Sequence, residues 1–143
     1  MLRVSKLTDY AVVVLGRLEA EGGVQTAPGL AATSGVPEPT VGKVLKLLAA
    51  AGLVEGLRGA RGGYRLLRPL DRLPLSEVIV AIDGPIALTA CVDGGFGQCE
   101  AEHVCPVRGR WDPVNAAIRN ALSSITVARI AGAPSPAAAL AAE

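Results

Sequence analysis

The sequence predicts a mainly α-helical chain carrying one small β-hairpin. Three observations point there. Apolar residues recur at i, i+3 and i+4 in several separate stretches. Glycine or proline punctuates the gaps between them. One region alone has strand-like residues on both sides of a glycine-rich turn: Leu53-Val54-Glu55 and Tyr64-Arg65-Leu66-Leu67, separated by GLRGARGG. The 143 residues fit one domain, or one small domain with an appendage. Half of them are hydrophobic but only 3% are aromatic, so the core must come from Leu, Val, Ile and Ala.

The first helix is expected over residues 5–19, where Leu7, Tyr10, Ala11, Val14, Leu15 and Leu18 build one apolar stripe. Gly22-Gly23 ends it. Thr26 is the expected N-cap of a second, short helix running to Ser34, with Gly35 in the C′ position. Val36-Pro37-Glu38-Pro39 reads as a stiff connection. A third helix is expected from Thr40 to Ala51, with Val41, Val44, Leu45 and Leu48 inward. Two short helices joined by a tight turn, followed by a basic, glycine-rich hairpin, outline a winged helix-turn-helix. Thr40, Lys43 and Lys46 then belong to the exposed side of the recognition helix. Arg58 and Arg61 belong to the wing, where glycines allow close approach to a phosphate backbone or the minor groove.

A fourth helix is expected after Pro74, with Leu75, Val78, Ile79 and Ile82 as its stripe and Gly84 as its stop. A long last helix is expected from an Asp112 N-cap, with Pro113 at N1, to Ile130. Val114, Ile118, Ala121, Ile125 and Ala128 form a seam on it, suited to its own domain or to a second copy. The division expected is 1–70 for the winged-helix unit, 71–130 for a loop and dimerisation helix, and 131–143 for a flexible Ala/Pro tail.

Charge is divided the same way. Residues 1–70 carry nine Lys and Arg against five acids; residues 71–143 carry five Arg against eight acids. The basic front half points to a polyanionic partner. No apolar run is long enough to span a membrane, and Lys6, Asp9 and Arg17 interrupt the N-terminal stretch where a signal peptide would be apolar. A cytoplasmic protein is therefore expected.

All three cysteines, Cys91, Cys99 and Cys105, fall in the stretch CVDGGFGQCEAEHVC, separated by seven and then five residues. In a reducing compartment, clustered thiols in a glycine-rich loop favour a soft metal centre over a disulfide. Three readings stay open from the residues alone: an iron–sulfur cluster, a structural zinc held with His103, and a metal-free thiol-redox switch. With one histidine, no nucleophile–base motif and no phosphate loop, the chain does not read as an enzyme.

The opening SKLTDYA, the wing GLRGARGGYRL, the helix SEVIVAIDGPIAL and the cysteine loop running into CPVRGRW together resemble one family. It is that of the iron–sulfur-dependent winged-helix transcription regulators that include IscR, NsrR and RirA. The closest likeness is to its branch regulating the SUF cluster-assembly system. The resemblance covers roughly residues 1–130. It implies a homodimer with crossed C-terminal helices, palindromic double-stranded promoter DNA as target, and a 2Fe–2S or 4Fe–4S cluster on Cys91, Cys99 and Cys105. The first gap is longer here than in members such as IscR. The fourth ligand also departs: the IscR branch places a histidine three residues beyond the last cysteine, where this chain has Arg108. The NsrR branch uses an aspartate in the partner's first helix, which Asp9 matches. Asp9 therefore ranks first as fourth ligand and His103 second.

Overall fold

The computed structural model describes residues 3–92, 99–101 and 103–132. Among them are six α-helices, one 3-10 turn and a two-stranded antiparallel sheet. The fold class matches the expectation.

Helix α1, Lys6–Glu21, is the hub. Ser5 caps it: the Thr8 N–H donates to Ser5 Oγ at 3.1 Å. The expected stripe is inward, with Ala11, Val14, Leu15 and Leu18 buried. The helix also has a second covered face, at i, i+4 and i+8, which the apolar stripe does not foretell. It consists of Thr8, Val12 and Gly16. Thr8 and Val12 are buried, and a Cβ at Gly16 would lie 2.9 Å from the Ala131 carbonyl oxygen. That face receives the later helices, so α1 is covered on two sides.

Helix α2, Ala27–Ser34, has its Thr26 cap and a left-handed Gly35, as the sequence indicates. Helix α3 is Glu38–Ala50. It begins two residues before the expected Thr40, because proline is tolerated in a helix's first turn and Pro39 sits there. Val41, Val44, Leu45 and Leu48 are buried, as expected.

The wing pairs β1, Val54–Leu57, with β2, Gly63–Leu66, in the register Val54 to Leu66 and Leu57 to Gly63. A third segment joins it. Gln25, just before α2, exchanges two 2.8 Å backbone hydrogen bonds with Tyr64. This fastens the wing to the base of the helix-turn-helix. A Cβ at Gly63 would lie 2.5 Å from the Gln25 carbonyl oxygen, so only glycine fits there.

After a 3-10 turn at Leu70–Arg72 comes α4, Leu75–Asp83, closed by Gly84. Helix α5 is Asp112–Ser124, not a helix reaching Ile130. Trp111 occupies the cap position and Asp112 the first turn. The chain breaks at Ile125, which is extended, and resumes as α6, Val127–Ala131. The reason is local. Ile125-Thr126-Val127 is a β-branched run, and the Ser124 hydroxyl donates to the Ala121 carbonyl at 2.9 Å. The break is held by pairing with the start of α4. The Leu75 N–H donates to the Ile125 carbonyl and the Val127 N–H to the Leu73 carbonyl, both at 2.8 Å. Val127 is then buried in the core against α1. The expected seam therefore does not exist as one helix face: Ile125 and Ala128 have left it. Of the expected Ala/Pro tail, residues 133–143 lie outside the described residues.

Candidate nucleic-acid interface and cysteine site

Within α3, Lys43 and Lys46 are exposed, while Thr40 is half-buried. Arg58 and Arg61 are exposed at the wing tip. The tip is shaped by Gly59, at φ 104°, and by the Gly62 N–H donating to the Gly59 carbonyl at 2.9 Å. Charge alone does not separate these cations from their neighbours, but the structure does. Arg65 is 2.6 Å from Glu55 across the two strands, and Arg68 is 2.7 Å from Glu77 on α4. Among the described residues, Lys43, Lys46, Arg58 and Arg61 form no ion pair. Within α3 and the wing, these four are the cations left to meet an outside polyanion.

The three cysteines lie between α4 and α5. Cys91 and Cys105 are half-buried and Cys99 is exposed; none is in a disulfide. The Thr89 hydroxyl and the Cys91 sulfur are 3.3 Å apart. The approach to Cys91 is held firmly. Asn115 on α5 is buried, and both ends of its amide are used. The Leu88 N–H donates to Asn115 Oδ1 at 2.8 Å, and Asn115 Nδ2 donates to the Ile86 carbonyl at 3.0 Å. At the far end of the same segment, the buried Thr8 hydroxyl donates to Asp83 Oδ2 at 2.7 Å, joining α1 to the last turn of α4.

Among the described residues, no three His, Cys, Asp or Glu side chains stand close enough to hold one ion. Cys91, Cys99, Cys105 and Asp9 are thus not gathered within one protomer. The gap 93–98, with Asp93 and Phe96, and Glu102 lie outside the described residues. The donor chemistry still fits a soft centre: three thiols outside disulfides. Asp9 is exposed on the first turn of α1, at the rim of a groove of about 490 Å³ that Leu75, Ile79 and Ile130 also line. His103 is exposed between Cys99 and Cys105.

Sequence reasoning misses Thr8 and Asn115. For Asn115 a signal exists. Asn115, Ile118 and Leu122 follow i, i+3 and i+7 and are the more covered residues of α5, whereas Val114 and Ala121 of the expected seam are exposed. The true inward face is turned by one residue.

A profile of the family described as "Rrf2: Iron-dependent Transcriptional regulator" matches residues 4–133. The protein aau3 of Rhizobium meliloti is 35% identical over 124 residues, which is 86% of this chain and 76% of that protein. Among solved structures, CymR, the global cysteine regulator of B. subtilis, superposes with a TM-score of 0.67 at 25% identity, covering 94% of this chain and all of that one. The IscR of T. potens superposes with a TM-score of 0.59 at 28% identity, covering 90% of this chain and 85% of that one.

Proposed function

The chain belongs to the Rrf2 family of transcription regulators, and from that premise we propose that it is a DNA-binding regulator whose affinity is set by an iron–sulfur cluster on Cys91, Cys99 and Cys105. The observation that carries the DNA half is the set of four exposed cations outside ion pairs on α3 and the wing tip. Lys43 and Lys46 would meet the major groove and its phosphates, and Arg58 and Arg61 the flanking backbone or minor groove. Target sites would be palindromic and bound by a homodimer. Outward-facing Val114 and Trp111, 44% and 45% exposed, support α5 as the surface that meets a second copy. The proposed location is cytoplasmic; among the described residues no helix is long and apolar enough to cross a membrane.

The cluster half is supported by the donor set. When bound, a cluster would supply a labile, redox-sensitive crosslink between the segment after α4 and the segment before α5. Asp9 is the proposed fourth ligand, reaching from α1 of the partner, and His103 is its rival. A carboxylate is a harder, weaker donor to such iron than a thiolate, which suits a cluster that is meant to be lost. Cys91 then ties to α4 and α5, and Asp9 to α1, whose buried faces carry the helix-turn-helix. Loss of the ties shifts the spacing of the two recognition helices, with a coupling of typically about 1–3 kcal/mol between the sites. The proposed targets, promoters of SUF cluster-assembly genes, rest on the likeness of the four sequence motifs.

The test is protein purified without oxygen. Brown protein with matched iron and sulfide, lost when Cys91, Cys99 or Cys105 is changed to Ala, supports the reading. Colourless protein containing zinc would replace it with a structural zinc site.

A further inference from the structure

We propose that Asn115 is the positioning residue of the cysteine site: it locks the approach to Cys91 onto α5, so that this thiol is set in register with the helix proposed to meet a second subunit. The proposal deepens the cysteine reading above and rests on it.

The geometry is specific. The two backbone groups that Asn115 engages lie two residues apart on one stretch of chain, the Ile86 carbonyl and the Leu88 N–H. A side chain that serves both must carry a donor and an acceptor in one rigid plane, as the Asn carboxamide does. Asn115 is 2% exposed, and its truncation removes the side-chain acceptor of the Leu88 N–H, while the Ile86 carbonyl keeps a longer 3.4 Å bond from Arg119. Cys91 follows Leu88 by three residues, with Thr89 against its sulfur and the buried Val92 behind it. Among the described residues, the backbone near the other two cysteines is bonded through turns, Val104 to Ala101 and Arg108 to Cys105. Cys91 is therefore the thiol tied through Asn115 to α5. Any displacement of α5 carries Cys91 with it.

A plain structural role for Asn115 would loosen α4 against α5 in general. The Ser123 hydroxyl, which donates to Ser76 at 2.9 Å, joins the same two helices without touching residues 86–88. Ser123→Ala is the matched control.

The first experiment needs no metal. Reduced apoprotein of the full chain is alkylated with iodoacetamide, and the rate at each cysteine is read by mass spectrometry. Cys91 is expected to react slowest in the wild type. Asn115→Ala should raise its rate severalfold, toward that of Cys99, leaving Cys99 unchanged; Ser123→Ala should leave all three unchanged. If Asn115→Ala fails to fold by circular dichroism, Asn115→Asp keeps the acceptor for Leu88 and loses the donor to Ile86, and should raise the Cys91 rate by less. An unchanged Cys91 rate in the folded variant, or an equal rise in Ser123→Ala, overturns the proposal. The second experiment follows iron release to a chelator from cluster-loaded protein. Asn115→Ala should release it about 10-fold faster or more, the range found when partners of metal ligands are removed. If the wild type binds no iron, the cluster reading fails while the alkylation result still decides whether Asn115 positions Cys91.

Discussion

The Thr8 hydroxyl on α1 donates a 2.7 Å hydrogen bond to Asp83 at the end of α4, across seventy-five residues of sequence. Thr8 is 1% exposed, and it also accepts a 3.1 Å bond from the Ser5 hydroxyl that caps the same helix. One side chain thus ties the start of the DNA-binding unit to the point where the cysteine segment departs.

Thr8→Val keeps the shape and removes the hydroxyl. We expect destabilisation of about 1 kcal/mol in urea unfolding, at the low end for a bond to a carboxylate because Asp83 is exposed to water. Thr8→Ser should cost less. A double-mutant cycle with Asp83→Ala should show a coupling of at least about 0.5 kcal/mol. A coupling of zero would mean that the two residues are merely adjacent.

Gly16→Ala is a test of sign. On an exposed helix the change stabilises by about 1 kcal/mol. Here the new methyl meets the Ala131 carbonyl oxygen at 2.9 Å and its Cβ at 3.0 Å. We expect destabilisation of about 1–3 kcal/mol as α6 is pushed from α1. A rise in melting temperature would show that α6 docks elsewhere.

The two parts of the molecule differ in how readily sequence discloses them, and the difference is one of range. Thr26, Gly35 and Gly59 act within a few residues, so α2 and the hairpin turn follow from the local pattern. The second face of α1 exists only because α4 and α6 return to it, and nothing near Thr8 or Gly16 announces that return. The end of α5 defeats the heptad-like seam because the β-branched run and the paired serines before it weigh more than the apolar spacing. The exposed cations are legible in composition, but Arg65 and Arg68 can be set aside only once their acids are located.

That last distinction predicts a difference in salt dependence. Replacing Arg58 and Arg61 with Ala should weaken binding to specific and random duplex alike. It should reduce the slope of log affinity against log salt by about 0.9 for each phosphate no longer neutralised. Arg65→Ala, already paired with Glu55, should leave the slope within error. Equal effects from all three would move the interface from the wing tip to its strands.

Mutation separates two readings of Asp9. As a first-turn acid it stabilises α1 by about 0.3–1 kcal/mol through the helix dipole. As the proposed fourth ligand it would hold iron. We expect Asp9→Ala to lose its cluster faster in air than the wild type, with a shifted visible spectrum and nearly unchanged unfolding. His103→Ala should retain its cluster as the wild type does. The opposite pattern would exchange the two residues in rank.

The pairing of Leu73–Leu75 with Ile125–Val127 gives the chain a property unrelated to any single site. The chain from α4 through α5 is a loop closed at one neck, with α4 packed on the core and the cysteine segment beyond it. The entropy of closing such a loop grows only logarithmically, by about 0.6 kcal/mol for each doubling of its length. A few residues inserted between Cys91 and Cys99 therefore add almost nothing to the cost of folding, and they do not displace α1, α3 or the wing. The proposed sensing segment can be lengthened, shortened or refitted with other ligands while the reading head it is mounted on stays the same.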